Sequence, residues 1–279
     1  MNLYARLSLT MVLPYMNPGL RCGLFFWLVV HAVLSAAPFD ILVRAHSHND
    51  YLHERPLADA LAHGFWSVEA DIWLTNGALL VAHDFDKAVP EKTLQRLYLE
   101  PLRAFAKTNA AIRRGSPPLT LLIDVKSEAE ATYHALRGIL KQYGDILTRF
   151  ESNSIRTNAV MVIISGNRDE ATMRGEPVRY AALDGRLPDL DTNLSVALVP
   201  LISDNWTKHF KWRGVGALSG EERENLRKLV ARTHGQGRRL RLWAAPDNEN
   251  AWKELSEAGV DLVNTDKLAD LETFLRSRP

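Results

Sequence analysis

The chain has 279 residues, of which 46% are hydrophobic and 24% charged, and its formal net charge is +1. This composition is typical of one large globular domain and excludes a largely disordered chain. The nearly balanced charge disfavours a general nucleic-acid binder, which usually carries a strongly basic surface. We therefore expect a small-molecule substrate rather than nucleic acid.

The N-terminal segment 1–37 has the pattern of a targeting signal. Arg6 and Arg21 precede an apolar run that begins at Gly23, and small residues at 35–37 stand before Pro38. The pattern predicts export, to a secreted or periplasmic location. An uncleaved membrane anchor is the alternative, although the run is short for a full span. We expect residues 38–279 to form a single domain.

From residue 39 onward, strand-like apolar runs alternate with helical patterns, which is typical of a parallel sheet wrapped by helices. Helix starts are expected at Ser127, Ser219 and Asp247. A short extra strand is expected at 79–84, after the turn at 76–77. We predict an α/β fold, a TIM (β/α)8 barrel, with strands at 41–46, 66–73, 119–126, 159–165, 178–184, 196–203, 239–244 and 260–265.

Carboxylates alternate with apolar residues in the second and third predicted strands. Side chains two positions apart point to the same side of a strand, so Glu69 and Asp71 share the barrel interior with Asp124 of the next strand. In such barrels the C-terminal strand ends carry the chemistry. Three neighbouring carboxylates repel one another unless a cation neutralises them. Glu69, Asp71 and Asp124 therefore predict a site for one divalent cation, Mg2+ or Ca2+.

The alternative to a metal site is ion pairing inside the barrel, with Arg44, Lys126 or Arg241 as partners of these carboxylates. The only cysteine, Cys22, lies in the N-terminal segment. A cleaved chain would have no thiol, so metal ligands must be oxygen and nitrogen atoms. Lys126, beside Asp124, is also a candidate to neutralise a phosphate oxygen in the transition state.

Two histidines, His46 and His83, each end a predicted strand. The unperturbed imidazole pKa near 6.5 suits a group that both accepts and donates a proton, so both are predicted to be catalytic in phosphodiester cleavage. His48 is a candidate phosphate contact or metal ligand. Trp243 and Arg168 are candidate substrate contacts. Alternatively, Trp243 only fills the barrel interior, and Arg168 is a solvated arginine in a loop.

Aromatic and basic residues interleave in the loop that follows the sixth predicted strand. Trp206, Phe210 and Trp212 alternate there with lysine and arginine. Such a loop predicts a transient contact with a phospholipid surface. The alternative is that the aromatic side chains form a lid over the barrel.

Six motifs carry a resemblance to a known family: HSHNDY, SVEADIWL, LLVAHD, LLIDVK, RLRLWAAPDN and GVDLVNTD. Their layout resembles the glycerophosphodiester phosphodiesterase and phosphatidylinositol phospholipase C-like superfamily. In particular, it is similar to the branch called altered inheritance of mitochondria protein 6, over residues 43–271. The resemblance implies a barrel of the phospholipase C-like phosphodiesterase type.

The resemblance also implies roles for individual residues. His46 and His83 match the family's catalytic pair, and Glu69 and Asp71 match its metal-binding Glu-x-Asp. Asp124 matches the third carboxylate, and the substrate-pocket lysine and tryptophan are matched by Lys126 and Trp243. The chain departs from the family after strand one, where the usual His-Arg-Gly reads His-Ser-His. On strand three, Glu-x-Lys reads Asp-Val-Lys.

The leading hypothesis is an exported, divalent-metal-dependent phosphodiesterase, a monomer, that hydrolyses a glycerophosphodiester-like or phospholipid headgroup bond by histidine acid/base catalysis. A second hypothesis is an amidohydrolase-like metal hydrolase, with His46 and His48 as the metal pair and Asp266 as the acid of strand eight. A third is a non-catalytic barrel that binds membrane surfaces, because a fold does not by itself establish an activity.

Overall fold

The computed structural model describes residues 40–108, 116–151 and 154–278. The strands are β1 (Leu42–Ser47), β2 (Phe65–Thr75), β3 (Ala78–Val81), β4 (Leu119–Val125), β5 (Arg149–Glu151), β6 (Ser154–Arg156), β7 (Val160–Gly166), β8 (Val178–Arg179), β9 (Ala182–Gly185), β10 (Leu201–Asn205), β11 (Arg239–Trp243) and β12 (Val263–Thr265). The helices are α1 (Ala58–Ala62), α2 (Glu100–Thr108), α3 (Ala129–Lys141), α4 (Glu170–Gly175), α5 (Trp206–His209), α6 (Gly220–His234), α7 (Glu249–Ala258) and α8 (Leu268–Arg276).

Within the described residues, eight parallel strands form a nearly closed barrel. Their order is β11-β10-β9-β7-β4-β2-β1-β12, and neighbouring strands pair in parallel. The two ends of this order meet through one bridge, between Arg241 and Leu262. The prediction of a (β/α)8 barrel is confirmed.

Strand alternation divides the apolar side chains into two layers. Leu121 and Ile123 belong to the large core cluster that the helices cover, together with Val68 and Ala70 of β2. The intervening Leu122 belongs to a separate cluster with Ile163, Leu201 and Leu262, each from a different part of the barrel wall. Because side chains alternate across a strand, this second cluster is a layer inside the barrel. The polar residues of β2 and β4 follow it toward the C-terminal strand ends.

Two predicted strands differ most from those observed, and the predicted strand 260–265 is observed only as β12, Val263–Thr265. The run 178–184 divides into β8, which pairs with β5 in a separate three-stranded sheet, and β9, which joins the barrel. The run 196–203 enters the barrel only at Leu201, just after Pro200, which has no N–H to donate. The predicted extra strand is β3, which forms an antiparallel hairpin with β2.

Helix starts shift by one residue where a capping side chain has another partner. Ser219 caps α6 as predicted, since its side chain accepts a bond from the Glu222 N–H. Ser127 instead accepts a bond from the Leu74 N–H, and Glu128 caps α3. Asn248, rather than Asp247, caps α7.

The predicted targeting segment, 1–37, lies outside the described residues. Among the helices that the structure describes, none combines the length and the hydropathy that a membrane span needs.

Candidate active site

Three carboxylates meet at the C-terminal ends of β2 and β4. Glu69 and Asp71 are two residues apart on β2, and Asp71 pairs in register with Asp124 of β4. One oxygen atom from each residue lies within 4.8 Å of the other two. Glu69 and Asp71 are 4% and 1% exposed, and Oδ1 of Asp71 has no hydrogen-bond partner. Buried like charges at this spacing repel one another, and a cation or the protonation of one carboxyl group relieves the repulsion.

Two cationic side chains neutralise part of this charge. Nη2 of Arg241 lies 2.6 Å from Oε2 of Glu69. Nζ of Lys126 lies 3.1 Å from Oδ2 of Asp71 and 3.2 Å from Oδ2 of Asp124. Lys126 and Arg241 are two of the three partners expected for ion pairing as the alternative to a metal site, and together they make three ion pairs. They leave three carboxylates opposed by two cations, so the cluster keeps an excess of negative charge.

The pKa values of the three carboxyl groups are shifted in different directions. Burial raises the pKa of Asp71 to about 6, and the nearby charge of Glu69 adds to the rise. Burial also raises the pKa of Asp124. Burial would raise the pKa of Glu69 too, but Arg241 and the hydrogen bond from His46 outweigh it and hold that pKa far below its ordinary range. The three carboxylates fit a hard divalent cation such as Mg2+ or Ca2+, and Oδ1 of Asp71 has no hydrogen-bond partner.

A divalent cation is expected to stabilise the protein more near pH 7 than near pH 5. The folded-state pKa of Asp71 is raised from 3.8 to about 6. Its contribution to stability is therefore fully present below the ordinary pKa and is lost as the pH rises through about 6. A cation that pairs with ionised Asp71 offsets this loss. The check is Tm with Mg2+ or Ca2+ minus Tm with EDTA at both pH values, and an equal gain at both would contradict the explanation.

Gly166, at the end of β7, makes room for the carboxylate of Asp124. Its φ is +69°, and an added Cβ would lie only 1.9 Å from Oδ1 of Asp124. Both the left-handed backbone and the close approach favour glycine. Sequence reasoning did not single out this residue. The available signal was a glycine that directly follows the predicted strand 159–165.

A cavity of about 450 Å3 opens at the C-terminal ends of the strands. Seven of the nine predicted site residues line it: His48, Glu69, Asp71, His83, Asp124, Lys126 and Trp243. The structure therefore brings together the three predicted metal ligands, two histidines, the lysine and the tryptophan. His46 and Arg168 are not part of this wall.

His46 is completely buried behind Glu69. Its Nδ1 lies 2.7 Å from Oγ of Ser67, and its Nε2 lies 3.2 Å from Oε2 of Glu69. Burial and the neighbouring Arg241 lower the pKa of His46 to about 4, although Glu69 opposes them. The imidazole is therefore neutral near pH 7 and holds the Glu69 carboxylate in place. Its catalytic role stays a prediction.

The other two histidines line the cavity from different elements. His48 follows β1, and its Nδ1 lies 2.9 Å from Oδ1 of Asp266. His83 follows β3, has a side chain that is 58% exposed, and places Nδ1 2.9 Å from Oδ1 of Asp84. Both imidazoles are therefore accessible to a molecule in the cavity, and each has a carboxylate partner.

Arg186 and Arg241 line the cavity wall, whereas the expected Arg168 does not. Arg168 donates to the backbone carbonyl of Asp184. Nη1 of Arg186 lies 2.9 Å from Oδ2 of the buried Asp184, and its Nη2 lies 3.3 Å from Oγ of Ser165. These bonds fix the guanidinium at the cavity edge. The available signal was an arginine two residues beyond the end of predicted strand five.

Arg44, the third candidate ion-pair partner of the carboxylates, instead bonds backbone carbonyls, including that of Val260.

Tyr51 supports the carboxylate cluster from the loop after β1. Its hydroxyl lies 2.8 Å from Oδ2 of Asp71. The loop itself is anchored by the fully buried Asp50, which accepts bonds from the Leu57 N–H and the Tyr98 hydroxyl. Sequence reasoning used the histidines of HSHNDY and missed this tyrosine, although the motif places it near strand one.

The aromatic side chains after β10 belong to the core. Trp206, Phe210 and Trp212 are 1%, 3% and 9% exposed, and the rings of Trp206 and Phe210 stack with centroids 4.0 Å apart. These buried rings do not present the apolar surface that the predicted phospholipid contact would use. The interleaved Lys208 and Lys211 are exposed.

The amidohydrolase hypothesis needs His46 and His48 as shared metal ligands. The two ring nitrogens of His46 contact Ser67 and Glu69 instead. Among the described residues, the cluster that could hold a metal ion consists of the three carboxylates. The geometry therefore favours a carboxylate metal site over a histidine one.

Comparison with known families identifies two matches. Residues 39–179 match the AIM6-like phosphodiesterase domain, and residues 239–269 match the glycerophosphoryl diester phosphodiesterase family. Together these segments contain every predicted site residue.

Several relatives are similar along most of their length. Altered inheritance of mitochondria protein 6 of Eremothecium gossypii is 31% identical over 84% of this chain and 70% of its own. The homolog from Arthroderma benhamiae is 29% identical over 80% of this chain and 81% of its own. The structure of a glycerophosphodiester phosphodiesterase from Parabacteroides distasonis has a TM-score of 0.51 at 15% identity and covers 84% of this chain and 97% of its own. That structural likeness concerns the fold alone.

Proposed function

The chain belongs to the AIM6-like phosphodiesterase family, and from that premise we propose that it hydrolyses a phosphodiester bond with the help of one divalent cation. The substrate is a glycerophosphodiester or a phospholipid headgroup ester. The reacting groups sit in the cavity at the C-terminal mouth of the barrel, where enzymes with this fold place their chemistry.

One observation carries the proposal: the three carboxylates, Lys126 and His83 line one cavity of about 450 Å3. The carboxylates suit a hard cation, the ammonium suits a phosphate oxygen, and the imidazole suits a leaving oxygen. A cavity of this size accommodates a headgroup but not two acyl chains. The combination supports phosphodiester chemistry on a small or headgroup-sized substrate.

The side chains divide the work of the reaction. Glu69, Asp71 and Asp124 would hold the cation, which when bound supplies Lewis-acid stabilisation of charge on the phosphoryl group. Lys126 is positioned beside the same carboxylates and neutralises a phosphate oxygen as charge develops. His83 donates a proton to the departing alcohol oxygen. Trp243 offers an aromatic face to the glycerol or headgroup.

Export and a monomeric state belong to the same proposal. Export rests on the amino-acid pattern of residues 1–37. Determination of the N-terminal residue of the protein recovered outside the cytoplasm would test it, because signal cleavage predicts a new terminus near Ala37.

Removal of divalent cations is expected to abolish hydrolysis of phosphodiesters. The purified chain is assayed with bis(p-nitrophenyl) phosphate and a panel of glycerophosphodiesters, first with EDTA and then with Mg2+, Ca2+, Mn2+ or Zn2+ restored. Recovery with Mg2+ or Ca2+ is the expected result, because the ligands are carboxylate oxygens. Recovery with Zn2+ alone would point to nitrogen ligands instead. Turnover that EDTA leaves unchanged would refute the metal-dependent part of the proposal.

A further inference from the structure

Arg186 carries a guanidinium edge that has no protein partner. Its Nη1 donates to Oδ2 of Asp184 and to the carbonyl of Gly185, each at 2.9 Å, and its Nη2 lies 3.3 Å from Oγ of Ser165. Among the described residues, none accepts a hydrogen bond from Nε or from the second N–H of Nη2. A guanidinium is planar, so these two N–H groups lie side by side and suit an oxyanion.

Bonds on the opposite edge hold the guanidinium in place. Oγ of Ser165 donates to Oδ2 of Asp184 at 2.8 Å, so the two acceptors of the Nη1–Nη2 edge also hold each other. Asp184 is 0% exposed. The backbone N–H of Arg186 donates to Oδ2 of Asp189 at 2.7 Å. The side chain is therefore ordered before a ligand arrives, which favours binding.

The unoccupied edge belongs to a residue of the cavity wall. Arg186 lines the cavity, and 31% of its side chain is exposed. The other two cationic side chains of the wall, Lys126 and Arg241, pair with carboxylates that line the cavity too. The partner of Arg186, Asp184, lies behind the wall instead. The open edge is therefore available to an oxyanion in the cavity.

Strand register places Arg186 across a narrow gap from Lys126. Ser165 of β7 pairs in register with Asp124 of β4, and neighbouring strands lie about 4.8 Å apart. Nζ of Lys126 contacts Asp124 on one side of this gap, and Nη2 of Arg186 contacts Ser165 on the other. Gly166, which also lines the cavity, has no side chain to fill the space. A phosphoryl group can therefore meet Lys126 with one oxygen and Arg186 with another.

We propose that Arg186 binds a non-bridging oxygen of the reacting phosphoryl group, on the side away from Lys126. This inference rests on the proposed function, because that function defines the reacting group. No bond forms or breaks at Arg186, and its guanidinium stays protonated throughout. Its contribution is electrostatic and grows as negative charge develops on the oxygen that it holds.

The first test measures phosphate binding and turnover for the wild-type chain, Arg186→Lys and Arg223→Lys. Lysine keeps the positive charge but has no planar pair of N–H groups. Arg186→Lys is expected to bind inorganic phosphate about tenfold more weakly in titration calorimetry with Mg2+ present, and to lose about tenfold in kcat/KM.

Arg223 is the matched control for this substitution. It pairs with Glu254 at 2.6 Å, its side chain is 34% exposed, and it lies outside the cavity wall. Arg223→Lys should therefore retain phosphate affinity and kcat/KM within about twofold of wild type.

A second variant keeps the test valid if loss of the arginine disturbs folding. Removal of Arg186 alone would leave the buried carboxylate of Asp184 without its cationic partner. Arg186→Ala is therefore combined with Asp184→Asn. The double variant is expected to lose about a hundredfold in kcat/KM, and added guanidinium ion should restore part of it. A merely structural arginine would not give such rescue.

The choice of substrate distinguishes two sources of the oxyanion. Bis(p-nitrophenyl) phosphate carries only the charge of its phosphoryl group, whereas glycerophosphoserine adds a carboxylate. Equal losses of kcat/KM on both substrates would support the proposal. A loss confined to glycerophosphoserine would overturn it, because Arg186 would then bind the headgroup.

The outcomes also separate this inference from the proposed function. Wild-type turnover together with an Arg186→Lys variant whose kcat/KM and phosphate affinity stay within about twofold of wild type would overturn the inference alone. If the wild-type chain hydrolyses no phosphodiester with any metal, the proposed function fails. The assignment of Arg186 to a reacting group then fails with it, whatever the phosphate affinities are.

Discussion

Replacing Asp71 by asparagine is expected to lower kcat/KM for phosphodiester hydrolysis by about a thousandfold while the fold is kept. Asparagine preserves the shape and can still accept the bond from Tyr51, but it removes the negative charge that would hold a cation and that pairs with Lys126. Because burial raises the pKa of Asp71, its neutral replacement should also raise the Tm of the metal-free protein near pH 7. Steady-state kinetics and thermal unfolding measure the two effects.

The matched control is Asp145→Asn, which removes an exposed carboxylate paired with Arg103 at 2.7 Å. A surface ion pair contributes little, so this variant should retain kcat/KM within about twofold. If Asp71→Asn keeps kcat/KM within about tenfold of wild type, Asp71 is not a metal ligand on which turnover depends.

Replacing His83 by glutamine is expected to lower kcat/KM by about a thousandfold for a glycerophosphodiester but by less than about tenfold for bis(p-nitrophenyl) phosphate. An alkoxide is a strong base and needs a proton as it leaves, whereas a nitrophenolate leaves without one. His83 is the accessible imidazole from which that proton would come, with 58% of its side chain exposed. The measurement is the ratio of the two losses, which a general folding defect would not change.

His209→Gln is the matched control, since it removes an imidazole that pairs with Asp204 and lies outside the cavity wall. Equal losses on both substrates would show that His83 acts in binding or in folding rather than as a proton donor.

Strand alternation made the carboxylate site predictable from the sequence. The period of two along a strand is a local property, and the register of β2 with β4 follows from their parallel pairing. Glu69, Asp71 and Asp124 could therefore be placed together without knowledge of the rest of the fold. Lys126, one residue beyond β4, followed from the same alternation.

The same argument failed for the two histidines near strand one. Their spacing predicts a shared face, but β1 ends at Ser47, and its pairing with β2 shifts between Leu42 and His46. Asn49 then takes a left-handed backbone with φ of 48°. His48 thus lies beyond the strand, and only the fold shows that it meets Asp266 from the far end of the chain.

The contacts of loop side chains were predicted least well, because the partners of these side chains are distant in sequence. Nothing local distinguishes Arg168, which bonds a backbone carbonyl, from Arg186, which lies in the cavity wall. Likewise, the aromatic residues after β10 look suited to a surface until the fold provides the core that buries them. Such choices depend on tertiary packing rather than on propensity.

The apolar layer of Leu122, Ile163, Leu201 and Leu262 has a kinetic consequence. It fills the barrel interior below the polar cluster. The cavity is therefore closed on that side and opens at the C-terminal strand ends. Substrate and both products must then use the same passage. With a cation bound, the phosphomonoester of the proposed reaction would carry a charge that the cation and Lys126 attract, and it would compete directly with the next diester. Turnover would therefore slow as product accumulates, unless a second enzyme removes the monoester.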